Sequence, residues 1–211
     1  MQLSGLLIIG GGGHGKVVAD AAMSSGWSRV AFLDDRGQAL GSPAGLPILG
    51  AVSELQAHAG KFSAAVVALG NARRRLLLQE ECLAVGLEVV SIIHPTAFVS
   101  RFASLAPGCL VLAQAAINVD SRLGRGCIVN TGATVDHDCV LGEGVHICPG
   151  AHLAGSVRVG DYTWVGIGAS VREGIVIGHG VTVGAGAVVV ENVVDDVTVV
   201  GVPARERGTS K

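Results

Sequence analysis

Residues 123–147 read LGRGCIVNTGATVDHDCVLGEGVHI, and every sixth residue is a branched aliphatic: Leu123, Val129, Val135, Leu141 and Ile147. Worked outward in both directions, the beat runs unbroken from Val99 to Val189, with only Val, Leu or Ile at each step. The residue four places after each hit is usually small, as at Cys109, Ala115, Ser121, Cys127, Ala133, Cys139, Ala151 and Ala169. A slower beat lies on top, because Leu123-Gly124, Leu141-Gly142, Val159-Gly160 and Ile177-Gly178 recur every eighteen residues. Neither a helix nor an ordinary strand has a six-residue period. Three sixes make eighteen, so each coil has three short flat faces, and glycine permits tight corners. The pattern predicts a prism of stacked short parallel strands, its coils ~4.8 Å apart, with one branched and one small side chain pointing inward per face. About five coils fit between residues 97 and 193.

Composition agrees with a narrow interior. The chain has 211 residues, 49% of them hydrophobic, 15% charged and only 3% aromatic, with 32 glycines. That apolar share excludes wholesale disorder. A net charge of -2 argues against a nucleic-acid partner held by phosphate neutralisation. No stretch of 18 apolar residues occurs, so no membrane span is expected, and Met1 to Gly10 lacks the basic flank of a signal peptide. A cytoplasmic protein is the expectation. The five cysteines form no C-x-x-C pair and read as free, buried side chains.

The first ninety residues follow another grammar. A strand at Leu6 to Ile9 runs into Gly10-Gly11-Gly12-Gly13-His14-Gly15, followed by a helix from Lys16 to Ser24. A second strand, Val30 to Leu33, ends in Asp34-Asp35. A third, Ala64 to Leu69, ends in Gly70-Asn71 before a helix from Arg73 to Val85, and a fourth spans Val89 to Ile93. The glycines match G-x-G-x-x-G, with an acidic pair about twenty residues on. Such a loop lets the backbone and a helix N-terminus approach a phosphate. Ninety residues hold half of a dinucleotide fold, which favours a mononucleotide or nucleotide-sugar over NAD; the competing reading is a glycine-rich connection that binds nothing. The expected division is 1–93 as a nucleotide-sugar-binding βαβ domain, 94–193 as the prism, and 194–211 as a C-terminal cap with a tail from Glu206.

On the prism, Asn130-Thr131-Gly132-Ala133-Thr134-Val135-Asp136-His137-Asp138-Cys139 carries the chemistry. His137 falls two after the inward Val135, at or near an outer corner. A histidine between two carboxylates has its imidazolium form stabilised and is the better base for it. His137 and Asp138 can meet only if the chain turns there, since neighbours on a flat strand point to opposite faces. A solvated surface His-Asp pair is the plain alternative. His146 lies half a coil further on and cannot stack on His137; His146 and His152 sit on adjacent faces. Cys148 near His146 is either an acyl-carrying nucleophile or, the favoured reading, a packed thiol with nothing to lower its pKa. Trp164 and Tyr162 line either a ligand groove or a subunit contact.

These features together resemble the sugar O- and N-acyltransferase family, which joins a small Rossmann-like α/β nucleotide-binding domain to a left-handed parallel β-helix of hexapeptide repeats. Its branches act on bacillosamine-type and perosamine-type sugars, with a related sialic acid O-acetylating branch. The residues carrying the resemblance are Ile9 to Gly15, Phe32 to Asp35, Ala68 to Asn71, Ile93 to Pro95, Asn130 to Cys139 and the ending Val200-Gly201-Val202-Pro203-Ala204-Arg205. The left hand comes from the resemblance, since generic parallel crossovers are right-handed. So does a trimer with CoA in the groove between adjacent prisms. The resemblance implies His137 as general base, polarised by Asp138, where the bacillosamine branch usually has glutamate. It implies Asn130 at the sugar, and His146 and the Gly155 amide at the thioester carbonyl, where a donor stabilises an oxyanion. Gly166, Gly168, Gly184 and Ala185 match the pantetheine track, and Gly12, Gly13, His14, Asp34 and Asp35 match the nucleotide site. The reaction implied is direct transfer from acetyl-CoA to the 4-amino group of a nucleotide-linked 4-amino-4,6-dideoxy sugar, without an acyl-enzyme.

Three alternatives accompany this expectation. One is sugar O-acetylation of the sialic acid type, because hydroxyl against amine is not written in these residues. Another is a non-catalytic nucleotide-sugar sensor or scaffold. The third is a β-helix metalloenzyme of carbonic anhydrase type. No metal is expected, since the H…H-x-x-x-x-H spacing of the metal-binding branch is absent.

Overall fold

The computed structural model describes residues 5–207, and the chain forms two units, Met1–Pro95 and Thr96–Lys211. In the first, the elements run β1 (Leu6–Ile9), α1 (Gly13–Ser24), β2 (Val30–Leu33), α2 (Gly37–Leu40), α3 (Leu55–Ala59), β3 (Ala64–Val67), α4 (Ala72–Ala84) and β4 (Glu88–Val89). The strands pair in parallel in the order β2-β1-β3-β4. Leu6, Leu7, Ile8 and Ile9 are all fully buried, which is why the central strand reads as an unbroken apolar run and not as an alternation. Leu7, Ile9, Leu33 and Val67 pack with Leu78 and Cys82 of α4.

The local expectations shift in three places. Helix α1 takes in Gly13, His14 and Gly15, which had been expected to remain loop ahead of Lys16. Gly15 fits because its Cα lies directly against the Gly10 carbonyl, where no β-carbon has room. The third strand stops at Val67, and the fourth divides into Glu88–Val89 and Ile92–Ile93. Asn71 caps α4 by accepting the Arg74 N–H at 2.9 Å.

The second unit is a parallel β-solenoid. Each six-residue step yields one two-residue strand, and strands eighteen residues apart pair in register: Val135 stands opposite Ile117 on one side and Leu153 on the other. The face holding Thr134–Val135 has six strands, from Phe98–Val99 to Val188–Val189, and the face holding Val140–Leu141 has five, from Ser104–Leu105 to Val176–Ile177. The stack is thus one coil taller on the Thr134–Val135 face than the expected five or so. The inward Val, Leu and Ile residues and the small residues between them form one continuous core.

The polar members of the small class serve the stack. Thr163 Oγ1 donates to the Gly178 carbonyl at 2.7 Å, Ser121 Oγ to that of Asp136 at 2.6 Å, and the Cys127 thiol to that of Gly142 at 3.0 Å. Each reaches fifteen residues ahead, so a buried carbonyl at a corner is satisfied by the coil before it. Beyond the last coil, Thr198–Val200 pairs with Thr182–Val183, and Arg205–Glu206 returns antiparallel onto it. Glu206 therefore belongs to a strand pair and not to the expected tail; residues 208–211 lie outside the described residues.

Candidate active site

The turn that His137 and Asp138 need is present. The chain leaves the strand Thr134–Val135, turns at His137, and passes Asp138 in the left-handed region at φ 60°. This bend brings the two side chains to one side, and the Asp138 Oδ2 to His137 Nδ1 distance is 2.8 Å. A carboxylate only accepts, so Nδ1 carries the proton and the lone pair is left on Nε2. Both side chains are about half exposed, at 53% and 58%. The Asp138 hydrogen bond raises the His137 pKa, opposed by slight desolvation and helped by the charges of Asp136 and Asp138.

Asp136 is committed elsewhere. Its Oδ1 accepts the His137 N–H at 2.8 Å and the Asn118 side-chain amide at 2.8 Å, and these bonds hold its carboxyl below the usual range. Asn118 went unnoticed in the sequence; a step of eighteen back from Asp136 finds it. One coil ahead, Gly155 lies against the His137 ring.

Asn130 and His146 form a second cluster at another corner of the triangle. Asn130 Oδ1 accepts the Thr131 N–H at 2.8 Å, which orients its NH2 toward His146 Nε2 at 3.2 Å. His146 is buried, and its ring packs on Trp164 with centroids 4.2 Å apart. With Nε2 accepting, the imidazole proton sits on the buried Nδ1, and the donor this pair turns outward for a carbonyl oxygen is the second N–H of Asn130. So a residue expected at the sugar and one expected at the thioester hold each other.

The strip expected to carry pantetheine is flat. The N–H groups of Gly166, Gly168 and Gly184 are bonded to Val183, Pro149 and Val199 carbonyls within the solenoid. Those of Gly155 and Ala185 donate to no group among the described residues. Trp164 and Ile167 are partly exposed beside the strip. A side-chain-poor wall with apolar neighbours and a spare amide at Ala185 fits a thioester-bearing amide chain, and the Gly155 amide lies apart from it at the His137 corner. Cys148 is no nucleophile here: burial pushes its thiol up to about 12, so it holds no thiolate at neutral pH. All five cysteines are free and buried.

In the N-terminal unit the glycine loop divides by role. Gly10 sits at φ 105° under Leu69, and Gly15 meets Gly10, so both are required by internal packing. Gly13 has open space beyond its Cα, and Gly12 has only the Arg36 guanidinium nearby. The first α1 hydrogen bond runs from the Lys16 N–H to the Gly12 carbonyl, so the preceding amides lie at the loop, where the helix dipole favours an anion.

Asp34, expected at the ligand, also braces the loop and lines the cavity at the strand ends. Its oxygens accept the Gly11 N–H at 2.8 Å, the Arg36 N–H at 2.8 Å and the Arg36 guanidinium at 3.1 Å. Burial raises its pKa, but the Arg36 and Gly11 hydrogen bonds outweigh this and the net shift is downward. Asp35 is exposed; one oxygen takes the Val52 N–H at 2.9 Å. Burial, then the charge of Arg75, lowers the His14 pKa to about 4, so its imidazole is neutral at physiological pH. This cavity of about 350 Å³ opens at the carboxyl ends of β1, β2 and β3, lined by Gly10, Asp34, Asp35, Leu69 and two arginines absent from the sequence reading, Arg36 and Arg74. It lies at the topological switch point, where β1 is followed by β2 on one side and flanked by β3 on the other.

A glycine-loop nucleotide fold joined to a hexapeptide solenoid bearing an exposed His-Asp pair defines a class, the hexapeptide acyltransferases with a nucleotide-binding domain. Residues 5–82 match the family model for the PglD N-terminal domain, and residues 156–191 match that for the bacterial transferase hexapeptide (six repeats). A comparison with curated protein sequences finds no match. Among solved structures, the chain is similar to the acetyltransferase domain of PglB from Neisseria gonorrhoeae FA1090 in complex with acetyl coenzyme A. The two are 44% identical, with 97% of this chain and 100% of that one covered and a TM-score of 0.92. It is likewise similar to PerB from Caulobacter crescentus in complex with CoA and GDP-perosamine, at 41% identity, 97% of each chain and a TM-score of 0.92. WeeI from Acinetobacter baumannii AYE is 26% identical over 96% of this chain and 99% of its own, with a TM-score of 0.87. The chain belongs to this family of PglD-type sugar acyltransferases.

Proposed function

We propose that this protein is an acetyl-CoA-dependent N-acetyltransferase acting on the 4-amino group of a nucleotide-linked 4-amino-4,6-dideoxy sugar, of UDP-bacillosamine or GDP-perosamine type, in surface glycan biosynthesis. The observation that carries the reading is the His137–Asp138 pair, with Nδ1 held at 2.8 Å and Nε2 open to a substrate. His137 Nε2 takes a proton from the sugar amine as its nitrogen attacks the thioester carbonyl. The new C–N bond forms, the C–S bond breaks, and the proton passes to the departing CoA sulfur. Asp138 stabilises the transient imidazolium. A spare amide of Gly155, with the Asn130 NH2, offers donors to the developing oxyanion. Gly12, Gly13, His14, Asp34 and Asp35 hold the nucleotide, and Asp34 also braces the loop. Gly166, Gly168, Gly184 and Ala185 form the wall along which pantetheine lies.

The protein acts in the cytoplasm as a homotrimer in this reading. His137 stands at the corner between the Thr134–Val135 and Val140–Leu141 faces, and Asn130 at the corner between the Ile128–Val129 and Thr134–Val135 faces. One solenoid therefore holds the base and the thioester cluster apart, which supports a site assembled from neighbouring copies. No helix among the described residues is long and apolar enough to cross a membrane.

The test is release of the CoA thiol, followed with a dye, using acetyl-CoA with UDP-linked and GDP-linked 4-amino-4,6-dideoxy sugars against free sialic acid. Turnover with one nucleotide amino sugar, reduced about 10²–10⁴-fold in His137→Ala, is the expected result. Turnover with sialic acid alone transfers the assignment to O-acetylation. Thiol release from none of the acceptors sinks the enzymatic reading.

A further inference from the structure

We propose that Gly155 is a positioning residue whose missing side chain forms the seat on which the His137 imidazole lies. The inference rests on His137 being the base. A β-carbon at 155 would stand 2.5 Å from Nε2 and 3.1 Å from Nδ1 of His137, and its three nearest heavy atoms all belong to that ring.

Other glycines of the solenoid answer to other demands. At Gly142, Gly160 and Gly166 a β-carbon would strike main chain of the next coil, and Gly150, Gly168 and Gly174 have positive φ. Gly155 has neither reason: it is absent from the positive-φ residues, and no main-chain atom is among its nearest neighbours. The eighteen-residue step supplies a control within the molecule. The same corner position is Arg101, Val119, His137, Gly155, Glu173 and Glu191 in successive coils. The fold accepts a side chain at every one of these corners except the one on which the histidine rests.

The backbone around the seat is fixed. Ser156 N–H donates to the His137 carbonyl at 2.8 Å, and the Gly155 carbonyl accepts the Gly174 N–H at 3.0 Å. An added methyl group therefore displaces the imidazole and not the chain. Recovering an ordinary contact of 3.4 Å from 2.5 Å moves the ring by about 1 Å, and a misplacement of that size costs a reacting group about 10²-fold. The base is held from two directions, by Asp138 at Nδ1 and by the next coil beneath the ring.

The test is Gly155→Ala, a variant that keeps the main-chain N–H and so leaves any role of that amide in place. The expected result is a fall in kcat of about ten- to a hundredfold, with KM for acetyl-CoA within about twofold. The NMR titration of His137 should move down toward that of an ordinary histidine as the Asp138 contact loosens. The melting temperature should drop in the wild-type background and remain level in the His137→Ala background, where the ring is gone. Wild-type kcat with an unchanged His137 titration would overturn the proposal, as would an equal loss of melting temperature with and without the imidazole. Titration and melting need no turnover, so they judge the seat even if every acceptor fails.

Discussion

His137 keeps its Nε2 open because the two carboxylates beside it do different work. Asp136 is spent on the His137 N–H and on Asn118, which pins the main chain entering the turn. Asp138, carried round by its left-handed backbone, takes Nδ1. The raised pKa has a definite sign: the base form accumulates only above it, so the acid limb of the rate profile should lie above the ordinary histidine value. Asp138→Asn keeps an oxygen for Nδ1 but removes the charge. Its acid limb of kcat/KM should move to lower pH while the plateau falls by about tenfold or more, within the span that a positioned base contributes. A pH–rate profile of the two proteins decides it, and an unmoved limb would mean that Asp138 does not set the titration.

Among the elements, the loop after β1 depends on the Asp34 carboxylate that braces it from β2. Asp34→Ala strands the buried Gly11 N–H, a loss of about 1–3 kcal/mol. Because the folded pKa of Asp34 is lowered, its stabilisation is present above the unfolded carboxylate range and fades as pH falls through the folded value. The gap in chemical-denaturation stability between wild type and Asp34→Ala should therefore be full at neutral pH and narrow in acid. These loop contacts are also where sequence reading stops. The solenoid is readable because one branched residue per six must fill an interior only a few atoms wide, so Val99 to Val189 announce it directly. The Asn118–Asp136 and His137–Gly155 contacts are recoverable once the eighteen-residue step is known. The Arg36–Asp34 pair has no such period, and Arg74 reaches the cavity only because α4 starts where Asn71 caps it. The exchange between Asn130 and His146 depends on an amide orientation set by Thr131, which spacing does not encode.

At the scale of the whole molecule, one face of the triangle separates His137 from the Asn130–His146 cluster, and the proposed function joins them through neighbouring copies. Sedimentation equilibrium should return three chain masses, and a single-chain mass in a protein with full turnover would refute the assembled site. The repeat has a quieter consequence through its small inward positions. Three of the five cysteines, Cys109, Cys127 and Cys139, fill them, each thiol turned to a carbonyl fifteen residues on, and Cys82 and Cys148 are buried as well. A folded chain is therefore silent toward a chromogenic thiol reagent, and colour in the turnover assay belongs to CoA alone. Once the coils part, the same reagent counts the chain's own sulfurs, so a single cuvette separates a dead active site from a protein that has come apart.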